Sequence, residues 1–214
     1  MNADAGPLPP GPFDVVLLDP PWSHWGAQDK WGAAAKFYPC MSDESLLSLP
    51  VRPLLRKSSV VFCWATCPRL NFAVLLLEYW GLTYRGVAFV WVKTAKSTGL
   101  PIGARGVRPS IVKPTTELVI AASLTSKGRP MPLASEAVAQ VVLAPTGAHS
   151  EKPDAVMDRI EMLYPDATRL EMFARRSRAG WNSWGNEVPT LLAPSDLPCS
   201  GKAPPPGSVA GKTA

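Results

Sequence analysis

The sequence is poor in the side chains that build metal centres and disulfide frameworks. Among its 214 residues there are two histidines, His24 and His149, and four cysteines, Cys40, Cys63, Cys67 and Cys199. No set of them recurs at metal-ligand spacing, and Cys63 and Cys67 frame CWATC with no matching cluster elsewhere. Reduced, buried thiols and no resident metal are therefore expected. No apolar run approaches the length of a membrane span, so no membrane partner is expected. The amino terminus, MNADAGPLPPGP, has no basic region followed by an apolar stretch. That excludes a secretory signal and makes the cytoplasm, where the chain is made, its expected location. Internal repeats are missing too, as is any G-x-G turn after the first apolar strand.

What is present is a chain that is 46% hydrophobic and 18% charged, enough to bury one sizeable core in a single domain. The net charge of +5 suits an anionic partner, although the basic residues are dispersed rather than blocked. Short apolar strand patterns alternate with helical ones, the mark of a layered α/β sheet with helices on both faces. Strands are expected at 13–18, 59–65, 84–93, 116–123, 137–144 and 167–175. Helices are expected at 42–49, capped by Ser42, at 68–81, closed by Gly81, and at 152–165. Residues 1–12 read as a flexible amino-terminal segment and 189–214 as a Pro-rich, disordered tail. Residues 94–114 carry glycines, prolines and several cations without apolar periodicity, so they read as a mobile basic loop.

The first strand, FDVVLL, runs into Asp19-Pro20-Pro21-Trp22. Prolines fix φ and cannot extend a ladder, so the Asp19 carboxylate and the Pro20 carbonyl are expected to stand rigid and unpaired beyond a strand's carboxyl end. Ligands of open α/β sheets bind at that edge. Two fixed acceptors suit the two N–H donors of an exocyclic amine such as adenine's, and they favour a pyramidal nitrogen with its lone pair exposed. Trp22 is expected to offer a face for the base, a stack worth about 1–3 kcal/mol.

DPPW, followed in order by FYPCMSDE, FVWVKT, the Glu117 strand, HSEKPD, LEMFARR and GWNSWGNE, resembles the methyltransferase-A-seventy family over roughly residues 13 to 188. The resemblance implies a Rossmann-like methyltransferase sheet in permuted order, with the catalytic strand ahead of the cofactor strand. That order accounts for the missing G-x-G turn. It also implies transfer of a methyl group from S-adenosylmethionine to N(6) of adenine, without a metal. By the same resemblance Lys152 pairs with the cofactor's methionine carboxylate, Phe173 and Arg175 lie along its adenosine, and Asn186 and Glu187 hold ribose and base. Asp19 borders the cofactor, and His149 lines its cleft. Asp19, Pro20, Pro21 and Trp22 are the catalytic set. Tyr38, Trp91, Lys93 and Glu117 surround the target base.

Arg105 and Arg108, in the basic loop, are expected to grip the phosphate backbone. Arg176 and Arg178 match no family position and read as a solvated basic edge near nucleic acid. The chain shows no appended zinc finger or recognition domain, which points to a compact enzyme acting on DNA more than RNA. A noncatalytic nucleic-acid-binding homologue, an RNA adenine methyltransferase and a cytosine N(4) methyltransferase remain as alternatives.

Overall fold

The computed structural model describes residues 6–22, 40–104, 111–148 and 150–188. Its centre is a seven-stranded sheet in the spatial order β5-β3-β4-β2-β1-β6-β7. The strands are β1 (Phe13–Leu18), β2 (Leu55–Thr66), β3 (Thr83–Thr94), β4 (Thr116–Ser123), β5 (Val141–Pro145), β6 (Arg169–Met172) and β7 (Asn182–Trp184). The helices are α1 (Asp43–Leu47), α2 (Leu70–Tyr79) and α3 (Asp154–Leu163). β4 runs antiparallel to both its neighbours, and every other pairing is parallel. This is the mixed sheet of a Rossmann-like methyltransferase fold.

Helices cover both faces, as the alternation of the strands demands. Val16 and Leu18, with Val61, Cys63 and Ala65, face α2 through Ala73, Leu76 and Leu77. Val15 and Leu17, with Val60, Phe62 and Trp64, face α3 through Val156, Met157 and Ile160. Fully burying such a side chain contributes about 1.5–3 kcal/mol. A bulge at Asp14 lets Phe13 join the α2 side although Val15 faces α3: the amides of Asp14 and Val15 both donate to the Thr168 carbonyl at 3.0 Å.

Local signals place the helices. Ser42 caps α1, its hydroxyl accepting the Ser45 amide at 3.2 Å. α2 ends where Gly81, at φ +78°, lets its own amide reach the Glu78 carbonyl and the Leu82 amide reach that of Leu77. Pro153 precedes α3, which leaves Lys152 just outside the helix.

Several bounds depart from expectation: β2 begins at Leu55 rather than 59, β5 at Val141 rather than 137, and α3 at Asp154 rather than 152. The strand at 167–175 is shorter, ending at Met172, and a seventh strand follows it. The stretch 94–114 begins as ordered chain: Thr94 completes β3, and the Ile102 amide returns to the Lys93 carbonyl at 2.9 Å. Residues 105–110 and 189–214 lie outside the described residues.

The connections determine where a ligand can lie. From β1 the chain moves through α1 to β2 on one side, whereas β6, on the other side of β1, leads to β7. The ligand crevice of open α/β sheets belongs at such a switch, here between the carboxyl ends of β1 and β6, which Asp19 and Phe173 follow. Among the described residues no helix is long and apolar enough to cross a membrane.

Candidate active site

Four charged side chains meet over the carboxyl ends of the central strands. Asp19 follows β1, Lys93 lies near the end of β3, and Lys152 precedes α3. Glu117 reaches the same edge because β4 runs the opposite way, so its beginning lies beside Thr66 and Trp91. The Lys152 ammonium sits 2.8 Å from Asp19 Oδ2 and 3.4 Å from Glu117 Oε2, and Lys93 Nζ sits 2.7 Å from Glu117 Oε1. Tryptophan rings floor the two cations: Lys152 Nζ is 5.5 Å from the centre of Trp64 and Lys93 Nζ 5.1 Å from that of Trp91. The two rings meet edge to face at 6.1 Å.

Burial decides how these groups titrate. It pushes the Asp19 carboxyl above its ordinary range, with Lys152 and Arg175 pulling it back and Glu117 adding to the rise. Burial works against Glu117 too, but Lys152 and Lys93 together hold its carboxyl below the usual range. Glu171, in β6 on the α3 side of the sheet, is pushed up to about 7 by burial and by Asp19, with Arg176 and Arg178 opposing. The thiol of Cys63 rises well above its usual value through burial and the neighbouring Asp19, which makes it a poor nucleophile.

The other half of the crevice follows β6. Phe173 takes the left-handed backbone conformation, φ +63°, a strained geometry for an aromatic residue. Its ring meets Trp184 edge to face at 5.4 Å. The Ala174 amide donates to the Trp184 carbonyl at 2.9 Å, and a Cβ added to Gly185 would lie 2.2 Å from the Ala174 carbonyl oxygen. Only glycine fits there. The close approach sets Arg175 Nε 3.9 Å from Glu187 Oε1, with Asn186 and Glu187 exposed beside it.

The MT-A70 family profile matches residues 13–187, from the start of β1 to just past β7. The chain belongs to the MT-A70 family. It is 32% identical over 200 residues to the Type II methyltransferase M.MunI of Mycoplasma sp, covering 85% of this chain and 80% of that relative. It is 31% identical over 186 residues to the N6-methyladenosine RNA methyltransferase MTA1 of Pyricularia oryzae, covering 82% of this chain and 47% of the relative. To the N(6)-adenine-specific methyltransferase METTL4 of Homo sapiens it is 27% identical over 184 residues, 82% of this chain and 37% of that one. The chain thus spans about half the length, or less, of these two eukaryotic relatives.

In this MT-A70 chain the fold brings Asp19, Lys93, Glu117 and Lys152 into one cluster, and Phe173, Arg175, Asn186 and Glu187 onto the adjoining β6–β7 edge. Three expectations need correction. The acceptors of the DPPW stretch are not unpaired: Asp19 is bonded to Lys152, and the Pro20 carbonyl accepts the Trp22 amide at 2.7 Å, which leaves it one lone pair. Trp22 offers no open face for a base, and Trp91, which the resemblance puts near the base, is covered within its strand. Trp22 is buried at the base of α2 and its backbone pairs with Met41, whereas Trp91 is buried with its indole N–H donating to the Ala144 carbonyl at 2.9 Å.

Arg176 and Arg178 are not a free basic edge: Arg176 is exposed but paired, and Arg178 is largely covered. Arg176 pairs with Asp154, and Arg178 pairs with Asp154, Asp158 and Glu161, one acidic stripe along α3. These pairs tie the segment after β6 to the helix that follows Lys152. The stripe was visible as acids spaced four and then three apart. Residues that the sequence reading missed are Glu171, Gly185 and Arg69. Tyr38, Arg105, Arg108 and His149 lie outside the described residues.

Proposed function

We propose that this chain transfers a methyl group from S-adenosylmethionine to N(6) of adenine in DNA, by direct displacement. The observation that carries the reading is the Asp19 carboxylate at the crevice between β1 and β6, held 2.8 Å from Lys152 on a proline-fixed turn. The DNA preference is supported by the Type II methyltransferase of Mycoplasma sp, 80% of which this chain covers.

The residues fit the cofactor. Lys152 supplies a cation for a carboxylate, Glu187 and Asn186 supply polar groups for ribose hydroxyls, and Gly185 lets β7 and the turn after β6 approach closely enough to form the crevice's wall. When bound, S-adenosylmethionine supplies an electrophilic methyl group on a sulfonium. The chain's own task is alignment and exclusion of water. Asp19 and the free lone pair of the Pro20 carbonyl accept the two N–H donors of the amine and stabilise the positive charge that grows on nitrogen as the N–C bond forms. Asp19, its carboxyl raised by burial, is placed to take the proton that leaves. In this reading Lys93 and Glu117 line the substrate side and Phe173 and Arg175 the adenosine side, with His149 assigned to cofactor contact, Tyr38 to the base, and Arg105 and Arg108 to phosphate. Taking the base out of a duplex costs a few kcal/mol, which single strands escape.

The test is methylation of matched DNA and RNA oligonucleotides, single and double stranded, read by nucleoside mass spectrometry. N6-methyladenine in DNA is the expected product. Product in RNA alone would move the assignment to RNA, and N4-methylcytosine would refute the choice of base.

A further inference from the structure

Arg69 stands at the meeting point of three elements. It ends the 3-10 turn Cys67–Arg69 that leads from β2 into α2, and its side chain is only 9% exposed. One guanidinium nitrogen bonds the carboxylate of Asp43, the first residue of α1. The guanidinium carbon lies 4.4 Å from the centre of the Phe72 ring and 5.7 Å from that of Trp22. Trp22 and Phe72 themselves meet edge to face at 6.0 Å. One cation therefore joins the starts of α1 and α2 to the last residue of DPPW.

Packing alone does not account for an arginine here. Its Nε is buried with no hydrogen-bond partner among the described residues. A buried charge with an unmet donor is costly where an apolar side chain of similar volume would fill the same space. What the guanidinium adds is geometry: a planar fork that engages a carboxylate at one edge while its faces lie near aromatic rings, which the point charge of a lysine cannot reproduce.

We propose that Arg69 is a positioning residue for methyl transfer, pinning the Trp22 ring and through it the acceptors at Asp19 and Pro20. The transmission path is short. The Trp22 amide donates to the Pro20 carbonyl at 2.7 Å, the Met41 amide donates to the Pro21 carbonyl at 3.0 Å, and the two prolines allow no φ rotation between them. A displacement of the Trp22 backbone that follows its ring is passed to the peptide plane of the Pro20 oxygen through this bond and the ψ angles of the two prolines. This inference rests on the reading that Asp19 and Pro20 hold the adenine amine.

The experiment compares Arg69→Met, Arg69→Lys, Asp43→Asn and Trp22→Phe with the wild-type chain. Arg69→Met is expected to lower kcat on an adenine oligonucleotide tenfold or more while the Kd for S-adenosylhomocysteine stays within twofold. Arg69→Lys should not restore kcat, and Arg69→Met combined with Trp22→Phe should be no slower than the slower single variant. A kcat within twofold of wild type in folded Arg69→Met, or a parallel loss of S-adenosylhomocysteine affinity, overturns the proposal. If Arg69→Met does not fold, Asp43→Asn, which keeps the guanidinium over the rings, must show the same split between kcat and Kd in milder form. A second readout needs no activity. With 5-fluorotryptophan incorporated and the Trp22 resonance assigned by its loss in Trp22→Phe, the Arg69 and Asp43 substitutions should shift that resonance. A resonance that stays in place overturns the clamp even if the wild-type chain methylates no adenine, a result that by itself would sink the catalytic reading.

Discussion

Lys152→Met keeps an aliphatic stem and removes the ammonium bonded to both Asp19 and Glu117. Glu117 retains Lys93 at 2.7 Å, so the carboxylate that loses its ion pair is Asp19, left with only the attraction of Arg175. Breaking a fully buried pair by deleting one partner costs about 3–5 kcal/mol. Here the Asp19 and Lys152 side chains keep 23% and 17% exposure, so about 2–3 kcal/mol is expected at neutral pH. The sign with pH follows from burial. Asp19 titrates above its ordinary 3.8 in the folded chain, and loss of Lys152 raises it further. A carboxyl raised in this way binds more protons folded than unfolded, so its contribution is fully present below the ordinary value and is lost as pH climbs through the raised one. The gap between wild type and Lys152→Met should be smallest near pH 4 and largest by pH 8. Urea unfolding followed by circular dichroism at pH 4, 6 and 8 measures it. Adding Asp19→Asn removes the stranded charge and should restore most of the loss at pH 8. A gap that does not change with pH, or a double variant no more stable than Lys152→Met, would refute the reasoning.

Asp19→Ala should abolish methylation while the Kd for S-adenosylmethionine, measured by calorimetry, changes little; unchanged turnover at normal folded yield would remove Asp19 from the mechanism. Glu171, pushed up to about 7 from an ordinary 4.5, should cost the wild-type fold roughly 3 kcal/mol at most as pH rises through that window, and Glu171→Gln should flatten this slope in thermal melts. Gly185→Ala forces a Cβ against the Ala174 backbone and should lower stability by about 1–3 kcal/mol by urea unfolding, whereas a tolerated alanine would mean that the β6–β7 edge is pliable. Arg105→Ala with Arg108→Ala should weaken nucleic-acid binding and flatten its salt dependence by about one to two counterion units, with an unchanged salt titration excluding the loop as a phosphate grip.

Much of the architecture was legible because it is local. FDVVLL and TELVIAAS are strands to the residue, and Ser42 and Gly81 do what their side chain and backbone freedom suggest. β7 was not legible, since three residues, one of them Trp184 beside Gly185, carry too little alternation to distinguish a strand from a turn. In the site, residue types pointed to chemistry but not to partners. The Lys152 to Asp19 bond joins positions far apart in sequence through β1 and the turn before α3, and a helix-start cation gives no hint of which acid it will meet. Trp22 shows the limit most clearly: an aromatic at a strand exit looks alike in sequence whether it faces a base or an arginine beneath the turn.

The alternation of Lys93, Glu117, Lys152 and Asp19 has a consequence at long range. Two cations and two anions within bonding distance of one another sum to no charge, and the field of such an arrangement fades much faster than that of a single ion. Beyond a Debye length, about 8 Å at physiological salt, an approaching polyanion feels nothing of it. On the proposed reading the centre therefore does not draw phosphate to the place of the base. Capture of a strand and entry of an uncharged heterocycle become separate events, the first governed by cations elsewhere on the surface and sensitive to salt, the second by hydrogen bonds and shape and nearly indifferent to it.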